Sequence, residues 1–379
     1  MHICLVYDCL FPWTVGGAER WYRDLAERLA ADGHAVTYLT LRQWEAGDEP
    51  QIPGVQVVAA GPRLALYGAD GNRRVAPPLV FGAGVLWHLL RRGRRYDVVH
   101  TASFPYFSLL AAAAVRPLAR FRLVVDWHEL WSRAYWREYL GGIGGRVGWA
   151  VQWLCLKVPQ RAFCFAQLTA GRLRAEGVRG DVTVLEGEYG GPLEGRGDPA
   201  PAEPLVVFAG RHIAEKRAPA VVGAVMAARS GVPGLRGVIF GDGPERPRVE
   251  AEIGRLGAHG IVEAPGFAPA AELEATLARA LCMVLPSRRE GYGQIVVESA
   301  AAGVPSVLVR AEDNAATELI AEGVNGFVVE DVSELGAAIV RVHASGPALR
   351  ASTAAWFAEN AERLSIESSL AVVAASYRP

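Results

Sequence analysis

The sequence has few of the residues that mark secretion, membrane insertion or metal binding. Its 379 residues include five cysteines, an odd number with no Cys-x-x-Cys pair, which favours a reducing compartment. The N-terminus, MHICLVYD, has no basic region and too short an apolar stretch for a signal peptide. No uncharged apolar run reaches the ~18 residues that a membrane-spanning helix requires. We therefore expect a soluble cytoplasmic protein.

An excess of charge of either sign is also missing. The formal net charge is -1, so no overall basic field supports binding to nucleic acid, and we expect no such partner. Hydrophobic residues make up 51% of the chain, which allows large packed cores and argues against disorder. At roughly 100–200 residues per domain, the length predicts two domains.

Three motifs of cofactor and metal chemistry are absent. The loop TVGGAE has a Gly16–Gly17 pair instead of GxGxxG, which argues against a dinucleotide site. No DxD triplet, the usual holder of a divalent metal on a diphosphate, occurs in the chain. His128 and Glu129, in LVVDWHELW, lack the HExxH spacing of a zinc site. We therefore expect chemistry without a metal or a cofactor.

Strand and helix patterns alternate along both halves of the chain. The start of the chain predicts a parallel crossover unit. A strand, HICLVYD, is followed by a glycine-containing loop, an amphipathic helix ending at Gly33 and a second strand, HAVTYLTL. Further strands are predicted at YDVVHTAS, FRLVVDWHE and RAFCFAQ. Beyond residue 204 we predict strands at PLVVFAG, GLRGVIFGDGP, GIVEAPG, LCMVLP, PSVLV and NGFVVE, with helices around 217–230, 245–258, 270–279 and from about 294.

These patterns predict two Rossmann-like α/β domains. The segment 193–204, LEGRGDPAPAEP, is rich in proline, glycine and acidic residues and reads as a linker. We place the first domain at 1–192 and the second at 193–356, with a helix at about 357–379 packing back on the first. Ligands bind beyond the carboxyl ends of parallel strands, so we expect the site in a cleft between the domains.

The segment SRREGYGQIVVESAAAGVP, residues 287–305, sets two glutamates around a glycine turn. Gly291 and Gly293 let a ligand approach the backbone, and the helix that follows presents free N–H groups suited to a phosphate. Glu298, about one turn into this helix, can accept two hydrogen bonds from a diol, and Glu290 can hold hydroxyls of a second sugar. The pattern suits a nucleotide sugar; a capping turn with surface acids is the alternative.

Cationic side chains follow the strand PLVVF in AGRHIAEKR. Arg211 and Lys216 stand where they can clamp a diphosphate, unless the segment is simply a solvated loop. A second basic run, Arg91–Arg95, lies beside the apolar VLWHLL. It is either the solvated end of a helix or a contact with an anionic membrane surface.

Two features of the first half have weaker signals. Gly16 and Gly17 precede a helix whose N–H groups can face an anion or an acceptor, although a simple turn explains the pair equally well. His128 can hydrogen-bond to a sugar hydroxyl, although a lone histidine is more often structural. The aromatic run WHELWSRAYW lines an acceptor site or packs in the core.

Taken in order, these segments resemble glycosyltransferase family 4, retaining enzymes of the GT-B fold in which two Rossmann-like α/β domains face a central cleft. The resemblance covers nearly the whole chain. It rests on VGGAER, AGRHIAEKR, FGDGPE, APGF at 264–267, the E-x7-E segment with AAGVP, and ELIAEGVNGFVV.

The resemblance implies a role for each matching residue. Glu298 would bind the ribose and Glu290 the donor sugar, with the following amides near the sugar and phosphates. Arg211 and Lys216 would contact the diphosphate, His128 the donor sugar and Phe267 the nucleobase. The implied catalytic set is His128, Arg211, Lys216 and Glu290; the implied donor-binding set is Gly16, Gly17, Arg211, Lys216, Phe267, Glu290, Gly291, Tyr292, Gly293, Gln294 and Glu298.

The resemblance also implies the reaction: transfer of a glycosyl group with retention, by front-face displacement and without a protein nucleophile. UDP is the carrier used most commonly in the family, and GDP stays open. The acceptor, whether a glycan, a glycolipid or a small natural product, cannot be identified. One departure is Glu186–Gly187, where the family often has Asn-Gly. A nucleotide-sugar epimerase and a non-catalytic sugar-binding or membrane scaffold remain as alternatives. The high alanine, glycine and arginine content is typical of a bacterial genome rich in G and C.

Overall fold

The structure, a computed structural model, describes residues 1–66, 68, 73–194 and 202–378. Contacts divide this part of the chain into two compact units. The first contains 1–66, 68, 73–188 and 366–378, and the second contains 189–194 and 202–365. Each unit is built on a parallel sheet with helices in its crossover connections, which confirms the predicted pair of Rossmann-like α/β domains.

In the first unit, parallel strands alternate with helices. The sheet order is β3-β2-β1-β4-β5-β6-β7. Because the order reverses between β1 and β4, the carboxyl ends of these strands flank the position where ligands bind in such sheets. The elements are β1 (His2–Val6), α1 (Gly17–Ala31), β2 (Ala35–Thr40), β3 (Val55–Ala59), α2 (Ala76–Arg92), β4 (Val98–Ala102), α3 (Tyr106–Ala119), β5 (Arg122–Trp127), α4 (Arg133–Leu156), β6 (Arg161–Cys164), α5 (Gln167–Ala175), β7 (Val182–Val184) and, from the end of the chain, α11 (Ile366–Ser376).

The strands of this unit that were predicted from the sequence are those whose residues are buried. Nearly every residue of β1, β4 and β5 is buried, as expected for central strands of a parallel sheet covered on both faces. The edge strands β3 and β7 are partly exposed along their whole length, and they were not predicted. The predicted strand RAFCFAQ is too long, because α5 already begins at Gln167.

The second unit repeats this architecture. Its main sheet has the order β10-β9-β8-β11-β13-β15, with the switch point between β8 and β11, and a two-stranded sheet pairs β12 with β14. The elements are β8 (Leu205–Ala209), α6 (Pro219–Ala228), β9 (Arg236–Phe240), α7 (Arg246–Arg255), β10 (Val262–Gly266), α8 (Ala270–Arg279), β11 (Cys282–Leu285), β12 (Arg289–Glu290), α9 (Gln294–Ala301), β13 (Ser306–Val309), β14 (Asp313–Asn314), β15 (Gly326–Val329) and α10 (Leu335–Leu364).

The unit boundaries differ slightly from the expected ones. The chain passes into the second unit after residue 188, not 192, and returns after 365, not 356. The difference at the end arises because α10 continues to Leu364, and the separate helix α11 begins only after Ser365. α11 buries Leu370 and Val373 in the first unit, and its Ser369 hydroxyl accepts a hydrogen bond from the Gly187 amide at 3.1 Å. Of the predicted linker, residues 195–201 lie outside the described residues.

Candidate active site

The basic segment after β8 is held as a compact turn at the switch point of the second unit. Residues Ala214–Lys216 form one turn of 3₁₀ helix. The buried His212 fixes its start, because its amide donates to the Asp242 carbonyl and its carbonyl accepts from the Glu245 amide, both at 2.8 Å. Arg211 is exposed, and it makes no ion pair within the described part of the chain.

Lys216 and Glu290 meet across this switch point. Lys216 Nζ lies 2.5 Å from Glu290 Oε2, and both side chains are largely shielded from solvent. Glu290 Oε1 accepts a hydrogen bond from the hydroxyl of the fully buried Ser287 at 2.7 Å. The Arg288 amide donates to the Glu215 carbonyl at 2.7 Å, which joins the two loops through the backbone. The structure therefore brings together a predicted cation and a predicted acid.

The two-stranded sheet of β12 and β14 holds the backbone of Glu290 in place. Glu290 lies in β12, paired with Asn314 in β14. The buried Asn314 amide donates to the carbonyls of Ser287 at 3.0 Å and Val309 at 2.9 Å, and its oxygen accepts from the Ala316 amide at 3.1 Å. The amide side chain thus uses both donors and its acceptor to fix the loop, which limits the freedom of Glu290.

The glycine turn leads directly into α9. Gly293 has φ 100°, and a Cβ there would lie 2.5 Å from Ala316 Cβ, so glycine is required both by conformation and by space. α9 begins at Gln294, and its first N–H groups have no partner within the helix. Tyr292 is buried, Gly291 and Gln294 are partly exposed, and Glu298 is partly buried in the second turn. These residues lie in the segment that directly follows Glu290.

Phe267 is an exposed aromatic ring at the end of β10 in the same unit. Its relative exposure is 74%, the largest of any phenylalanine described. Gly266, before it, has φ 96°, and the Arg246 guanidinium lies so close that a Cβ on Gly266 would be 2.5 Å from Nη1. Arg246 also donates to the Ala264 carbonyl at 3.0 Å. A fixed strand end therefore presents a flat apolar face to the outside.

In the first unit, the Gly16–Gly17 loop leads into α1 as predicted, but an acid lies beside it. A Cβ on Gly16 would be 2.4 Å from Glu19 Oε2, so the carboxylate of the helix's own first turn lies against this glycine. A carboxylate there interacts favourably with the helix N-terminus. The sequence-based view of these amides as open to an external anion did not take Glu19 into account.

His128 lies just after β5 and stacks on Phe165, with ring centroids 4.9 Å apart. Its Nε2 is buried and has no hydrogen-bond partner among the residues that the structure describes. Burial lowers the pKa of His128, while the carboxylates of Asp126 and Glu129 oppose that change. The imidazole is thus kept neutral at neutral pH, and one ring nitrogen has hydrogen-bonding capacity that the described residues do not use.

A buried polar chain behind His128 was missed by the sequence analysis. Asp126 accepts from the Trp21 indole at 2.8 Å and lies 2.7 Å from His100 Nε2, while His100 Nδ1 lies 2.5 Å from the Tyr377 hydroxyl. Burial alone would raise the pKa of Asp126, but the charge and hydrogen bond of His100 lower it below its usual value. The signal available was the polar His100 inside the apolar strand YDVVHTAS.

The described residues contain no group of three His, Cys, Asp or Glu side chains arranged to hold a metal ion. Among these residues, no helix is long and apolar enough to cross a membrane. What the second unit does bring together is a lysine, a glutamate and a helix N-terminus, at the strand ends of a doubly wound sheet. Two such α/β units define the GT-B class of glycosyltransferases.

Comparison with known families supports this class along most of the chain. Residues 15–186 match the family described as "Glycosyltransferase Family 4", and residues 203–345 match "Glycosyl transferases group 1". A GDP-mannose-dependent alpha-mannosyltransferase of Corynebacterium glutamicum is 32% identical over 350 residues, covering 88% of this chain and 77% of that protein. The chain therefore belongs to this glycosyltransferase family.

Other similar proteins agree with this assignment. A glycogen synthase of Mycobacterium tuberculosis is 28% identical over 356 residues, with 86% of this chain and 82% of that protein covered. Among solved structures, sucrose-phosphate synthase from Thermosynechococcus elongatus has a TM-score of 0.78 at 19% identity, covering 100% and 98% of the two chains. Anabaena HepE in complex with UDP has a TM-score of 0.72 at 18% identity, with 99% of each chain covered. The structural similarities establish the fold.

Proposed function

We propose that this glycosyltransferase moves a hexosyl group, with retention, from a nucleoside-diphosphate sugar to an acceptor hydroxyl, in the cytoplasm and without a metal ion. The observation that carries the proposal is the contact of Lys216 with Glu290 beside the N-terminus of α9. A cation and free helix amides suit a diphosphate, and a fixed carboxylate suits sugar hydroxyls. UDP is the first carrier to test and GDP the second.

Each residue has a defined task in this proposal. Arg211, Lys216 and the α9 amides neutralise the charge that develops on the departing diphosphate, the effect that usually contributes most to catalysis. Glu290 holds hydroxyls of the donor sugar, and Glu298 holds the ribose. Phe267 provides an aromatic face for the base. No side chain is needed as a nucleophile, because the acceptor attacks from the face that the diphosphate leaves and gives its proton to that phosphate.

Two similarities support a nucleoside diphosphate without choosing the base. The similar mannosyltransferase is named for its dependence on GDP-mannose, and the similar HepE structure was determined with UDP. The acceptor is a hydroxyl of a glycan, a glycolipid or a small natural product. The loop at Gly16–Gly17 and the neutral His128 are the first-unit groups that we assign to the donor.

The donor is tested by thermal shift and isothermal titration with UDP-, GDP-, ADP- and dTDP-sugars, because a ligand that binds only the folded state raises its melting temperature. We expect one nucleotide to stabilise the protein with and without EDTA. Glu298→Gln should weaken its binding by about 1.5–3 kcal/mol, the range for hydrogen bonds to a charged group. Glu272→Gln, an exposed glutamate of α8, is the matched control.

The outcomes separate the remaining functions. If no nucleotide sugar binds, the protein is a scaffold built on the GT-B fold. If the bound sugar changes configuration without an acceptor, the protein is an epimerase. When a product is obtained, its anomeric configuration, measured by NMR, decides retention; an inverted product refutes the proposed stereochemistry.

A further inference from the structure

Three helices of the first unit lie side by side on one face of its sheet. The connections β3–α2–β4, β4–α3–β5 and β5–α4–β6 all advance in the same direction through the strand order. Right-handed crossovers therefore put α2, α3 and α4 on the same side. α2 packs along α3, and α3 contacts α4. The outer surface of α2, α3 and α4 is called the helical face below.

Apolar side chains are exposed along this helical face. On α4, Ile143 is 81% exposed, Val147 58% and Leu154 50%, and the three lie on one stripe of the helical part that follows Gly141. Spacings of four and seven residues along a helix put side chains on the same side. Gly141, with φ 74°, interrupts α4 just before Ile143. The stripe belongs to none of the sites described above.

α2 carries a second apolar stripe. Leu79, Trp87 and Leu90 are all exposed and lie at helical spacing. The Arg91 guanidinium stacks on the Trp87 ring at 3.6 Å from its centroid, and Arg133 stacks in the same way on Trp149 in α4 at 3.8 Å. Exposed tryptophan and arginine together are typical of side chains at a membrane interface.

The charge of this region differs sharply from that of the whole protein. Residues 76–157 contain eleven Arg and Lys side chains against four Asp and Glu, a net charge of +7, whereas the formal charge of the chain is -1. All four arginines of Arg91–Arg95 are exposed at the end of α2, and Arg137 and Arg146 are exposed on α4. Of the four acids, Asp126 is fully buried.

We propose that the helical face docks on an anionic lipid bilayer, with Ile143, Val147, Trp87 and Leu90 entering the interface and the arginines contacting lipid phosphates. Apolar contact and attraction to anionic lipid both strengthen such binding. A second copy of this chain is a poorer occupant, because pairing the face with itself would juxtapose two surfaces of the same charge. The proposal goes beyond donor chemistry and does not depend on it.

Vesicle sedimentation of the full-length protein without donor tests the proposal. We expect binding to vesicles of phosphatidylcholine with phosphatidylglycerol, little binding to phosphatidylcholine alone, and release as the salt concentration rises. Ile143→Ser with Val147→Ser, and separately Trp87→Ser with Leu90→Ser, should each lower the partition coefficient about tenfold. Replacing Arg91, Arg94 and Arg95 by glutamine should lower it at least as much.

Matched controls are available in the same protein. Val372→Ser removes an apolar side chain with 41% exposure from α11, which contacts α1. Arg236→Gln with Arg248→Gln removes exposed charges from the second unit. Both should bind vesicles like wild type, and unchanged melting temperatures should exclude misfolding of the test variants.

Three results would overturn the proposal. The first is no binding of wild type to anionic vesicles, and the second is equal binding by the Ile143→Ser, Val147→Ser variant and wild type. The third is a stable dimer by light scattering that this variant dissociates, since the apolar stripe would then be covered by a second copy. Because no donor is present, each result is independent of the nucleotide-binding experiments.

Discussion

The ammonium of Lys216 lies 2.5 Å from the carboxylate of Glu290, although the two residues come from loops after different strands. The pair is held by a backbone hydrogen bond between its two loops and by the Ser287 hydroxyl on the other carboxylate oxygen. Two groups with separate proposed tasks, one toward phosphate and one toward sugar, therefore depend on each other for position.

This contact predicts that the two side chains act as a coupled pair. Lys216→Ala should lower kcat as well as donor affinity, because charge on the leaving diphosphate grows in the transition state. Glu290→Ala should also lower both. The double variant should lose less transition-state stabilisation, measured from kcat/KM, than the sum of the losses in the two single variants. The difference, the coupling energy, should be about 0.5–3 kcal/mol. Additive losses would contradict coupling, and a change in KM alone would contradict the role of Lys216.

Substitution of Phe267 can test base recognition without affecting folding. Because its ring is mostly exposed, Phe267→Ala should not change the melting temperature of the free protein. Loss of stacking should weaken binding of the preferred nucleotide by about 1–3 kcal/mol in isothermal titration, by analogy with bases stacked on aromatic side chains. Val324→Ala, another exposed apolar residue of the second unit, serves as the control. Equal affinity in wild type and Phe267→Ala would remove Phe267 from the base site.

Glu188 predicts a pH dependence of stability. Burial, with a smaller contribution from the charge of Asp126, raises the pKa of Glu188 from 4.5 to about 8. Between these pH values the folded protein binds one proton that the unfolded chain does not, so the free energy of unfolding falls as the pH rises. Glu188→Gln should remove this slope, worth a few kcal/mol at most given ~1.4 kcal/mol per pKa unit. The free energy of unfolding of the variant should thus rise relative to that of wild type as the pH approaches 8.

Denaturant unfolding at several pH values measures this effect. Glu186→Gln, an exposed neighbour, should retain the wild-type slope. Parallel pH curves for Glu188→Gln and wild type would show that the Glu188 carboxyl does not titrate as its burial implies.

Tyr377 predicts that the end of the chain stabilises the first unit. Its hydroxyl lies 2.5 Å from the buried His100, and both side chains are fully buried. Tyr377→Phe should lower the free energy of unfolding by about 1–3 kcal/mol, because a buried ring nitrogen loses its partner. Arg378→Ala, at the exposed next residue, should have little effect. A Tyr377→Phe variant with the same free energy of unfolding as wild type would show that the contact does not stabilise the fold.

The sequence predicted the helices of the second unit closely, because their patterns are local. The predicted helix at 270–279 is Ala270–Arg279 in the structure, and the helix expected from about 294 begins at Gln294. Strands buried on both faces form apolar runs and were recognised, whereas β3 and β7 at the sheet edge and the two-residue strands β12 and β14 were not. These four strands are too short or too exposed to form a pattern that the sequence reveals.

The sequence by itself determined the fold class, the glycine turn and the choice of Arg211, Lys216, Glu290 and Glu298 as candidates, since composition, spacing and motif order are properties of the chain alone. Only the tertiary structure decided that Lys216 touches Glu290, that Glu19 lies against Gly16, that Tyr377 reaches His100, and that one side of α4 is left uncovered. Such contacts join residues far apart in sequence, and they depend on strand order and crossover direction, which local patterns do not encode.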